Sequence, residues 1–179
     1  NVNAFISRVY SSIKAAKPWV KFGISPPGIW RPGDPPQITG SDNYNKLYAD
    51  SRKWLVNGWV DYFSPQLYWR IEPKDQSFPV LLNWWAQQNV RHLNLWPGLS
   101  SVNGHSPDWS PSEIPDQIRL VRKQPGANGY IFYNATSLLT NSPRGDLLRH
   151  TLQTTFNMQP ALVPASPWLG TETPAKPNL

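Results

Sequence analysis

The stretch WVDYFSPQLYW, residues 59–69, decides how the fold of this chain is read. Its β-branched and aromatic residues show no helical period and mark a strand. Pro65 removes a ladder donor in mid-strand, which predicts a bulge that re-aims the side chains around it. Alternation places Ser64, Gln66 and Tyr68 on one face and Phe63, Pro65, Leu67 and Trp69 on the other. A polar set is rare in a core, and in a barrel strand that face would point into the mouth.

Upstream, VNAFISRVYSSIKAAKP carries Val2, Phe5, Ile6, Val9, Tyr10 and Ile13 at helical spacing until Pro18 stops it. WVKFGIS (19–25) is a short β-type run, and the prolines and glycines of PPGIWRPGDPP forbid regular structure after it. SDNYNKLYADSRKWLVNG predicts a helix with Tyr44, Leu47, Tyr48, Ser51, Trp54 and Leu55 on one face, Asp50 inside it and Gly58 as its stop.

Downstream, a helix starts at Ser77 with Val80, Leu81, Trp84, Trp85 and Gln88 along one side. RHLNLWPGLS reads as a third strand, and SSVNGHSPDW as a polar loop. The loop ends in Ser110, Pro111, Ser112 and Glu113, a capping box with proline at the first helical position. GYIFYNATSLL (129–139) predicts a fourth strand, followed by a helix from about Arg144 to Phe156 with Leu147, Leu148 and Leu152 inward.

A helix followed by four strand–helix pairs is an α/β chain built of (β/α) units. The expected architecture is the C-terminal half, about four βα units, of a TIM-type (β/α)8 barrel, a fold of roughly 250 residues. A doubly wound sheet gives the same order, but no strand-to-helix turn carries its glycine-rich phosphate fingerprint. Residues 1–158 are expected to form the partial barrel and 159–179 a proline-rich linker or the start of a following domain. Alternatively Leu162, Val163, Trp168 and Leu169 pack back on the barrel's underside.

Composition narrows the function. Ten tryptophans and twenty prolines in 179 residues imply an aromatic-lined surface and rigid loops, a combination suited to sugar binding. The net charge of +6 favours acidic partners, but Arg119, Arg122 and Lys123, the densest basic group, complement the end of a helix, and no element interleaves basic residues with exposed aromatics as a nucleic-acid binder would. Without cysteine there is no disulfide framework and no thiolate metal site. His92, His105 and His150 lie on different elements, so no metal site and no cofactor is expected. No apolar run approaches the roughly 20 residues of a membrane span.

The blocks VKFGISPPGIWRP, YADSRKWLVNGWVDYFSPQLYW and GYIFYNATSLL resemble the glycosyl hydrolase-like 10 family over residues 1 to about 165. The resemblance implies a TIM-type (β/α)8 glycosidase barrel in a secreted, periplasmic or lipid-anchored enzyme. Its implied substrate is bacterial polysaccharide, for some members the peptide-free glycan strands of peptidoglycan. It also implies a principal acidic block upstream of residue 1, which has no counterpart here, so that the second carboxylate would lie outside this chain.

Glycoside hydrolysis uses two carboxyls about 5 to 5.5 Å or 6.5 to 9.5 Å apart. Asp34, Glu72, Asp75, Asp108 and Asp146 follow strands, and Glu72 alone sits close behind a strand ending in aromatics. Burial against Tyr68 and Trp69 would raise its pKa and make it the general acid; the competing reading is a solvated loop carboxylate beside Arg70 or Lys74. Gln66 and Tyr68 are candidates to hydrogen-bond sugar hydroxyls, and Trp69 or Trp30 to stack on a pyranose. Arg31 beside Trp30 suits a carboxylate such as the lactyl group of muramic acid, or pins its loop by stacking. Asn134 is a sugar ligand or the Asx side chain of a turn. A non-catalytic glycan-binding module using the same aromatics is the alternative function. A half barrel leaves two open strand edges, which predicts self-association.

Overall fold

The computed structural model describes residues 1–169. Helix α1 (Val2–Ala16) leads to strand β1 (Gly23–Ile24), then α2 (Asn43–Lys46), α3 (Ser51–Asn57) and β2 (Tyr62–Phe63). After them come α4 (Phe78–Gln88), β3 (Asn94–Leu95), β4 (Gly98–Ser100) and α5 (Glu113–Lys123). The chain closes with β5 (Ile131–Tyr133), α6 (Ala135–Leu139) and α7 (Pro143–Thr151), continued by a π-helical turn over Leu152–Phe156.

All strand pairs are parallel, β1 with β2, β2 with β3, and β4 with β5. Strands β3 and β4 are one strand interrupted at Trp96–Pro97, and bridges from Gln66 to Pro27 and to Gly98 carry the pairing across the gap. The spatial order of the strands is therefore their sequence order. Helices α1, α3, α4, α5 and α7 pack successively, each on the next. Right-handed crossovers between strands in unbroken order put every helix on the same side of the sheet. This is a singly wound arc, consistent with part of a (β/α)8 barrel, and it lacks the reversal of a doubly wound sheet.

Alternation sorts the strand residues between two environments. Phe63, Leu67, Leu95 and Leu99 point toward the helices and are fully buried with Leu55, Leu81, Trp85 and Ile118. Each such side chain contributes about 1.5–3 kcal/mol by leaving water. The Trp85 indole also donates to the Gly28 carbonyl at 2.8 Å, which ties helix α4 to the loop after β1. On the inner face Tyr62 stacks on Trp96, with centroids 4.8 Å apart. Glycines flank this pair because a Cβ at Gly23 would fall inside the Tyr62 ring, and one at Gly129 would meet Trp96 at 2.8 Å.

The structure corrects several sequence expectations. The single helix expected over residues 41–58 is two, because Asp42 and Asp50 each accept a backbone N–H as N-caps and Tyr48 between them takes a positive φ of 54°. Asp50 is thus a cap and not a mid-helix residue. Gly58 ends α3 in the left-handed conformation, as expected of a C-terminal stop. The capping box does not form as written: α5 begins at Glu113, and the Glu113 carboxylate turns to Ile71 N at 2.8 Å. The fourth strand stops at Tyr133, and ATSLL is helix α6.

At the N-terminal ends of the strands Asp61 is fully buried. It accepts from Phe22 N (2.7 Å), Tyr10 Oη (3.2 Å) and Trp168 Nε1 (2.9 Å), and pairs with Lys14 at 2.5 Å. Nearby, Asn94 Nδ2 donates to Ser166 Oγ and Lys21 Nζ to the Pro164 carbonyl. Residues 164–168 therefore lie against the barrel's underside, while Leu162 and Val163 are exposed. The rest of the expected linker, residues 170–179, falls outside the described residues.

Candidate functional site

The C-terminal ends of the strands carry a concavity of about 270 Å³. Pro65 builds one side of it. Its carbonyl accepts from Gly98 N at 2.8 Å, but it has no N–H to return, so β2 ends as a regular ladder and resumes at Gln66, whose N–H reaches the Pro26 carbonyl at 3.0 Å. Gln66 and Tyr68 keep the inward direction, and Trp69 turns to line the same concavity with Gly28 and Asn43. The loops after β1 and β2 are laced together by Thr39 N to the Asp75 carbonyl (2.9 Å) and Gln37 Nε2 to the Lys74 carbonyl (2.8 Å).

Gln66 Nε2 donates to the Ser25 carbonyl at 2.9 Å, which fixes the amide plane. The Tyr68 ring crosses Gly98 and stacks on Tyr133, with centroids 5.5 Å apart and 30° between planes. Burial first, and neighbouring Tyr133 second, push the Tyr68 hydroxyl above the usual phenol range, so it stays a protonated donor at neutral pH. The Trp69 carbonyl accepts from Gln117 Nε2 (3.0 Å), which also donates to Glu113 Oε1 (3.0 Å). Glu113 and Gln117 on α5 thus hold the backbone of residues 69–71 in place. A half-buried aromatic floor beside a fixed amide and a phenol donor is suited to a sugar ring with hydroxyls at its rim.

The other expected site residues lie elsewhere. The Glu72 side chain is exposed beyond Ile71, so Tyr68 and Trp69 do not bury it. Trp30 and Arg31 line a second depression on the other side of the loop after β1. Asn134 Oδ1 accepts from Ser137 N at 3.0 Å as the N-cap of α6. Tyr133 and Glu113 escaped the sequence reading. The alternation of GYIFY pairs Tyr133 with Ile131 on the inner face and was the available signal for the first. Glu113 looked like a local cap because its partner is 42 residues away. Among the described residues no three metal-ligating side chains converge, and no helix is long and apolar enough to cross a membrane.

A β/α arc with an aromatic and amide-lined hollow at its strand ends has the placement of a carbohydrate-active barrel site. The family model of glycosyl hydrolase-like 10 matches residues 1–109, and the chain belongs to that family. It is 40% identical over its whole length to glycosyl hydrolase YngK of Bacillus subtilis and 32% identical, over 80% of its length, to glycosyl hydrolase DigH of Escherichia coli K12. The chain spans 36% of each of these relatives. The family and the relatives' names support a glycosidase-like role.

Proposed function

We propose that this chain is the C-terminal half of the catalytic barrel of a secreted, periplasmic or envelope-associated glycoside hydrolase. Its substrate in this reading is bacterial polysaccharide, such as peptide-free peptidoglycan strands. The carrying observation is the strand-end concavity bounded by Gln66, Tyr68 and Trp69 in a chain of this family. Tyr68 and Trp69 support a pyranose by stacking, and the Gln66 amide and Tyr68 hydroxyl bond its hydroxyls. Asn134, whose Oδ1 caps α6, follows Tyr133 and is the further sugar contact in this reading through its Nδ2.

Glu72, one turn of chain beyond Trp69, is the carboxyl offered to the leaving group. Its exposure in the described residues calls for a covering wall and a second carboxyl from the remainder of the barrel. Residues 1–158 form the barrel portion, and 159–179 lead toward a following domain, strapped underneath on the way by the Trp168–Asp61 contact. Strands β1 and β5 are the outer strands of the arc, and through these edges the isolated chain self-associates.

A second reading, a glycan-binding module without hydrolysis, is favoured by one observation. The buried acid closest to the loop after β2, Glu113, is committed to Ile71 N and Gln117. Mass spectrometry of soluble products after incubation with peptide-free glycan strands separates the two. Release of oligosaccharides that is lost in Glu72→Gln places acid chemistry in this chain. Binding without release, weakened by Tyr68→Ala, selects the module.

A further inference from the structure

The second depression, about 300 Å³, lies between the loop after β1 and the start of α3. Its wall is built around Trp30, whose ring stacks on Trp84 (6.0 Å, 22°) and meets Tyr44 edge-on (5.7 Å, 86°). Two guanidiniums converge on this cluster. Arg31 Cζ lies 4.9 Å from the Tyr44 ring centre and 5.6 Å from that of Trp30, and Arg52 Cζ lies 5.7 Å from Trp30. Lys53 and one carboxylate, Asp50, line the same hollow.

Neither arginine forms a carboxylate ion pair among the described residues. Arg52 Nε donates to Gln88 Oε1 at 2.7 Å, which aims the fork and leaves its terminal nitrogens over the hollow's aromatic wall. The acids nearby are occupied: Asp50 accepts from Lys53 N as the cap of α3, and Asp42 accepts from Asn45 N and Nδ2 as the cap of α2. Arg31 and Lys46 contribute, after the Asn45 bonds, to holding the exposed Asp42 carboxyl low. In the hollow itself Arg31, Arg52 and Lys53 outnumber the single carboxylate of Asp50. Stacking on aromatic rings pre-orients a guanidinium without neutralising it, and like charges gathered this way favour an oxyanion between them.

The hollow adjoins the proposed sugar subsite across a shared ridge. Ile29 and Asn43 line the strand-end concavity, and their successors Trp30 and Tyr44 line the depression. The ridge between is fixed by Asn43 Nδ2 to the Ile29 carbonyl (2.8 Å) and Tyr44 N to the Trp30 carbonyl (3.2 Å). We propose that Arg31 and Arg52, on the Trp30–Tyr44 cluster, bind the carboxylate of an acidic sugar next to the one held in the strand-end concavity. The inference rests on the glycan reading above and adds the two side chains that read the carboxylate and the place where they do so.

The test compares three probes by calorimetry on the whole chain: an alternating N-acetylglucosamine–N-acetylmuramic acid oligomer without peptide, the same oligomer with its carboxyls amidated, and a neutral N-acetylglucosamine oligomer. The acidic oligomer is expected to bind about tenfold more tightly than the amidated one, and the preference to shrink with added salt. In Arg31→Gln/Arg52→Gln the preference disappears while the neutral oligomer binds as before. Arg31→Lys, which keeps the charge and loses the fork, is expected to fall between. Equal affinity for acidic and amidated probes in the wild type overturns the proposal, as does a preference that survives the double variant. Tyr68→Ala reports separately: a retained preference with unchanged neutral binding sinks the strand-end subsite and leaves the anion site standing.

Discussion

Tyr68 and Tyr133 stack on each other across an intervening strand, and Gly98 is the residue that lets them meet. A Cβ at position 98 would stand 3.0 Å from Tyr68 Cε1 and 3.4 Å from its hydroxyl. Gly98→Ala is expected to lift the ring off Tyr133. Neutral oligosaccharide affinity should fall several-fold, with a loss of stability near the ~0.5–1.5 kcal/mol of the aromatic pair. Tyr133→Ala, which removes the partner from a half-exposed position, should give the same loss of affinity. Calorimetric binding and thermal melts of the two variants side by side check this.

Glu113 and Gln117 act on the site through the backbone of residues 69–71. Glu113→Ala leaves Ile71 N–H unpaired and should cost about 1.5–3 kcal/mol, the usual worth of a hydrogen bond to a charged group. Hydrogen exchange at Ile71 should accelerate in the variant while exchange in the strands keeps its order. Unchanged Ile71 protection would show that the contact does not hold the loop.

Asp61 is the charge on which the underside depends. Asp61→Ala strands Lys14 and removes the acceptor of Phe22 N, Tyr10 and Trp168, and a cost of about 3–5 kcal/mol is expected, as for a broken buried pair. Trp168→Phe removes one donor and keeps most of the packing, so about 1–2 kcal/mol is expected by urea unfolding. In that variant a protease should cut more readily between Asn157 and Ala165.

Tyr10 links this cluster to pH. Burial first and Asp61 second push its hydroxyl up to about 12. Because the folded value exceeds the unfolded value of 10.0, the folded state holds the proton more tightly. The contribution to stability is fully present below pH 10 and is lost as pH rises toward 12. Tyr10→Phe should flatten that part of the unfolding free-energy profile and leave the neutral region's slope unchanged. An identical alkaline slope in the variant would assign the loss to other groups.

The sequence was most informative where a residue's behaviour is local. Phe63 and Leu67 were readable as one face from alternation alone, and Gly58 as a helix stop from its lack of a Cβ. Pro65 interrupts the ladder as its missing N–H requires, but the expected bulge does not form: Gly23–Tyr62 and Pro27–Gln66 on one side, and Tyr62–Asn94 and Gln66–Gly98 on the other, keep one register across it. What escaped depends on distant partners. The split at Tyr48 required two capping aspartates to outweigh a continuous apolar stripe, and Glu113 gave up a local cap for a backbone N–H in another unit. Gln66 and Tyr68 reach the site by plain alternation, and Trp69 joins them where the chain leaves the strand. Trp30 and Arg31 part from them because the loop after β1 passes from one hollow to the other between Ile29 and Trp30.

The strict division of each strand between a helix side and an inner side makes the binding surface modular. Phe63, Leu67, Leu95 and Leu99 secure the scaffold, while Gln66, Tyr68 and Gly98, interleaved with them, are not members of its hydrophobic core. Exchange of an inner residue or a whole strand-end loop can therefore retune ligand preference one wall at a time. Each unit behaves as a cassette whose recognition can drift while its foundation stays fixed.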